Sequence, residues 1–153
     1  MEARNDALER IRAIVERVES TDAGFISVVT VVGSVLRRVL SAEKTAHQAA
    51  ISLAQQTQLE QMRSELSGMI ETLGTLLPQR VSLEKVPAKE ESSWWFALSE
   101  ATHVLEESID QLSVLVKQQK KGSAIRDLMA QAQRLLREHY NVLLEQARSY
   151  MDG

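Results

Sequence analysis

The sequence contains no cysteine, which removes thiol nucleophiles, thiolate zinc sites and disulfide frameworks together. It contains two prolines, Pro78 and Pro87, and these bracket the one stretch that reads as a loop. There is no Gly-rich phosphate loop, no serine-nucleophile motif and no Asp-rich calcium loop. Acids and bases are interspersed around a formal net charge of −3, so no broad basic face forms to grip a phosphate backbone, and nucleic acid is disfavoured as a partner. The N-terminus mixes Glu2, Arg4, Asp6, Glu9, Arg10 and Arg12 and carries neither the apolar core nor the cleavage site of a signal peptide. A cytoplasmic setting is therefore expected. No internal repeat or low-complexity segment is visible.

What remains is helical. The 153 residues suit one domain, and 44% hydrophobic residues suffice for a core. Leu59, Met62, Leu66, Met69, Leu73 and Leu76 alternate spacings of three and four, the seam of a helix that packs on others. A first helix is expected from about Ala3 to Glu19 with Leu8, Ile11, Val15 and Val18 on its apolar stripe. Ser20, Thr21 and Asp22 supply a turn and a cap for the next. Phe25 to Val32 reads FISVVTVV, suited to a buried strand by its β-branching, yet Phe25, Val28, Val29, Val32, Val35, Leu36 and Val39 also keep helical spacing. Without a second strand to pair with, helix is the reading.

Ser41 to Leu77 is helical on every local criterion, with Ile51, Leu53 and Ala54 expected on its core face. A single helix from Gly24 to Leu77 would be roughly 80 Å long, too long for a small domain. A bend or break is expected near Gly33-Ser34 or Ser41. Pro78 ends that helix, and residues 79–91 read as an exposed connection. Ser92 or Ser93 caps the third helix, whose seam is read as Trp95, Leu98, Thr102, Leu105, Ile109, Leu112 and Val116. Lys120-Lys121-Gly122-Ser123 makes a tight turn. The fourth helix runs to about Tyr150 with a wide apolar face and forms an antiparallel hairpin with the third. Either the first helix and the Phe25 to Leu40 piece complete a helical layer, or they leave valines exposed for another chain.

Six features invite a functional reading. Glu100, His103, Glu107 and Asp110 lie three or four apart on one helix face, a spacing that presents carboxylates and an imidazole to a metal. Helical di-iron proteins need a second Glu-x-x-His, and none is present. A solvated acidic face is preferred, and no metal is expected. The same helix carries Glu100, Glu106, Glu107 and Asp110 with no Lys or Arg between Ser92 and Val116, a stripe that either steers a basic partner or keeps the face wet. Trp94-Trp95-Phe96 cannot all face one core, so at least one sits at a rim, an interface or beneath residues 79–91. Phe25 to Leu40 is too short to span a bilayer. It is read as a core helix or a dimer seam ahead of a shallow membrane insertion with Arg37 and Arg38 at the headgroups. His47 is not followed by the Lys-Gly pair of histidine phosphotransfer bundles.

Arg134 and His139, with four residues between them, resemble the Arg-x4-6-His motif of the HEPN family of helical ribonucleases and nucleotide-binding domains. The resemblance covers six residues, with Leu135 where the family usually has Asn or Asp. It implies RNA cleavage, commonly from a dimer, with arginine stabilising charge on phosphorus and histidine moving a proton. The plainer expectation is a partly buried His139 beside an exposed Arg134.

The sequence thus points to an all-α antiparallel bundle, with three to four long amphipathic helices plus a short N-terminal one. It is expected to act without cofactor or metal by binding another protein, as an adaptor, scaffold or complex subunit. Homo-oligomerisation is an open option, and membrane contact is not favoured. The residues expected at the partner surface are Phe25, Val28, Val29, Val32, Trp94, Trp95, Glu100, Glu107 and Asp110.

Overall fold

The computed structural model describes residues 2–17, 23–49, 51–74 and 93–152. They form five α-helices: α1 (Glu2–Val15), α2 (Ala23–Gln48), α3 (Leu53–Gly74), α4 (Trp94–Gln118) and α5 (Ala124–Asp152). No strand occurs among the described residues. The expected loop at 79–91, the turn at 20–22 and Leu76 lie outside them.

The valine-rich segment resolves as helix, and magnitudes explain why. Each valine costs about half a kcal/mol in helix propensity relative to alanine, whereas full burial returns about 1.5–3 kcal/mol per side chain. Val28, Val32, Val35, Val39, Ala42 and Ala46 follow one another at spacings of four and three, and all are fully buried. Burial wins at every position of that seam. Four hydroxyls of α2 are satisfied within the helix itself. Thr30 donates to the Ile26 carbonyl at 2.9 Å, Ser34 to Thr30 at 3.1 Å, Ser41 to Arg37 at 3.1 Å and Thr45 to Ser41 at 2.9 Å. Bonded back to the preceding turn, these side chains leave α2 continuous through Gly33-Ser34 and Ser41.

The break in the long helical stretch is real but lies further on, which corrects its expected position. Ala49 N–H still bonds the Thr45 carbonyl, Ile51 N–H reaches back to Ala46, and the chain then turns. Ser52 starts α3 by accepting from Gln55 N–H at 3.3 Å. With the helix restarted there, Ile51 packs half-buried against the core, but Leu53 is 80% exposed and Ala54 is exposed, contrary to their expected core placement. The seam proper begins at Leu59 and includes buried Met62, Leu66 and Met69; the Leu73 side chain lies outside the described set.

Ser93 caps α4, accepting from Phe96 N–H at 3.0 Å. The buried face of α4 is turned by one position from the expected seam. Leu98, Leu105 and Leu112 hold, but the partners between them are Trp94, Ala101 and Ser108, while Thr102, Ile109 and Val116 are only half-buried. Small residues at 97, 101 and 108 let neighbouring helices approach, so bulk alone misplaces the seam. Gly122, at φ +79, closes the α4–α5 turn, and Ser123 caps α5 by accepting from Arg126 N–H at 3.3 Å.

The helices pack side by side as a bundle. α4 lies against α5 and α2, α2 against α3, and α1 bridges α3 and α5. Gln133 of α5 bonds the Ile109 carbonyl at 3.0 Å and the Ser113 hydroxyl on α4. Glu43 of α2 meets Arg63 of α3 at 2.7 Å, and Ile11, Ile14 and Val15 bury the inner side of α1.

Candidate functional site

A helix that buries one half must expose the other. With Trp94, Leu98, Ala101, Leu105, Ser108 and Leu112 inward, the opposite stripe of α4 is Phe96, Glu100, His103, Glu107, Asp110 and Val114, again at spacings of four and three. Phe96 is 45% and Val114 56% exposed, so an acidic row is bounded at each end by a bare apolar side chain. Glu100 is half-buried and lies 3.8 Å from Arg38 of α2; His103 and Glu107 pair at 2.7 Å. Both are surface pairs, which contribute little to stability.

The stripe is flanked by two grooves. Toward α5, Trp95, 38% exposed, lines a shallow depression of about 240 Å³ with His103, Glu106 and Ala147. Toward α2, a groove of about 550 Å³ has Val31 and Leu115 on its floor and Ile26, Thr30, Val114 and Gln118 around it. Ile26 is 53% exposed. Four of the five large apolar side chains exposed among the described residues (Ile26, Trp95, Phe96 and Val114) thus belong to α4 or the adjoining edge of α2.

The expected partner residues divide. Val28, Val29 and Val32 are buried in the chain's own core and Trp94 is buried with its indole N–H unpaired; these four are not a surface in the folded chain, because the α2 and α4 seams consume them. The Phe25 side chain lies outside the described set. Trp95, Glu100, Glu107 and Asp110 are on the α4 exterior. Ile26, Phe96 and Val114 are missing from the expected set, although each is an apolar residue standing off the helical seam, which is the legible signal.

Elsewhere, His139 is buried between α3 and α5, with Nε2 3.3 Å from Glu65 Oε2 and Nδ1 without a partner. Since a carboxylate accepts, Nε2 carries the proton in this bond. Gln146 Nε2 donates to Gln58 Oε1 at 2.7 Å along the same contact. Arg134 is exposed, so within one chain Arg134 and His139 do not share an open site. Among the described residues no group of three or more His, Asp or Glu is placed to hold a metal ion, and no described helix is long and apolar enough to cross a membrane.

Comparison with protein-family models, curated proteins and solved structures gives no match.

Proposed function

We propose that this chain is a non-enzymatic interaction module, a single-domain antiparallel bundle of four long helices and a short N-terminal helix that binds another protein across the outside of α4. In this reading it acts as an adaptor, scaffold or complex subunit in the cytoplasm and needs no cofactor. The observation that carries the proposal is the exposure of Ile26, Trp95, Phe96 and Val114 along α4 and the adjoining edge of α2, at the two ends of the acidic row of Glu100, Glu107 and Asp110. Single exposed apolar residues are ordinary on a surface; four of the five exposed among the described residues on one side of the molecule is the bias a partner face leaves. Aromatic anchors such as Trp95 are also the residue type that dominates binding energy when a partner covers them.

The test is affinity purification of the tagged full chain from its source cells, with mass spectrometry and a parallel assay for bound or cleaved RNA. A stoichiometric protein that is lost with Phe96→Asp and retained with Ala130→Asp, on the exposed side of α5, supports the proposal. Cleaved RNA without such a protein, abolished by Arg134→Ala, overturns it in favour of nuclease chemistry.

A further inference from the structure

We draw no further inference here: the strongest candidate, the uncharged groove between α2 and α4 lined by Ile26, Val31, Val114 and Leu115, carries nothing because nothing in the structure shows what covers it.

Discussion

Replacing His139 by leucine probes a buried ionisable contact that ties α3 to α5. The imidazole and leucine side chains are similar in volume, so the change removes the polar bond without opening a large cavity. What it leaves behind is the Glu65 carboxylate, buried, deprived of the Nε2–H donor at 3.3 Å. Losing a hydrogen bond to a charged group costs about 1.5–3 kcal/mol, and stranding a buried charge about 3–5 kcal/mol. Glu65 keeps a further interaction, which places the expected cost at about 2–4 kcal/mol, or a fall of roughly 5–15 °C in Tm for a chain of this size. Glu65→Leu should cost less, since it leaves a neutral imidazole rather than a charge. The double variant Glu65→Leu/His139→Leu should lie within about 1 kcal/mol of wild type, because an apolar pair of matching volume replaces both groups, giving a coupling energy of at least about 2 kcal/mol. Urea unfolding followed by circular dichroism measures all four corners of the cycle. Single variants indistinguishable from wild type, or a double variant equal to the sum of the singles, would refute the reasoning.

Two further outcomes follow from the packing. Leu66, fully buried on the α3 seam, should lose about 2–5 kcal/mol on truncation to alanine, read as a lower urea midpoint at unchanged slope. Gly122→Ala should cost about 1 kcal/mol in the same assay despite open space around the position, because the penalty comes from φ +79 and not from a clash.

The helical class is legible in the sequence because its signal is periodic: the α2 and α3 seams stand out as spacings of three and four. Where expectation and structure differ, a local rule meets a tertiary fact. Gly33, Ser34 and Ser41 look like breakers, but the two serine hydroxyls bond within the helix, and the actual break sits at Ser52, followed three residues later by Gln55 in a capping pattern that the sequence does display. Bulk places the α4 seam on its largest residues, whereas the packed face runs through Ala97, Ala101 and Ser108, which a reading weighted by size undervalues. The candidate surface is half legible. Its acids stand out by charge alone, and Ile26, Phe96 and Val114 stand off the helical seams, but Trp95 separates from the core only once the phase of α4 is known, and that phase is set by which neighbours α4 meets. His139 shows the same limit from the other side: nothing local indicates that Glu65, 74 residues away, will stand beside it.

The absence of cysteine makes one experiment especially clean, since any single cysteine introduced is the only thiol. Cysteines at Ser99 and Gln111, exposed on α4 beside Phe96 and Val114, and at Ala130, exposed on α5, report which face a partner covers. Alkylation rates of each should be compared between the free chain and the complex formed with the captured protein. The account predicts strong slowing at 99 and 111 and no change at 130; protection at 130 with 99 and 111 unaffected would contradict it.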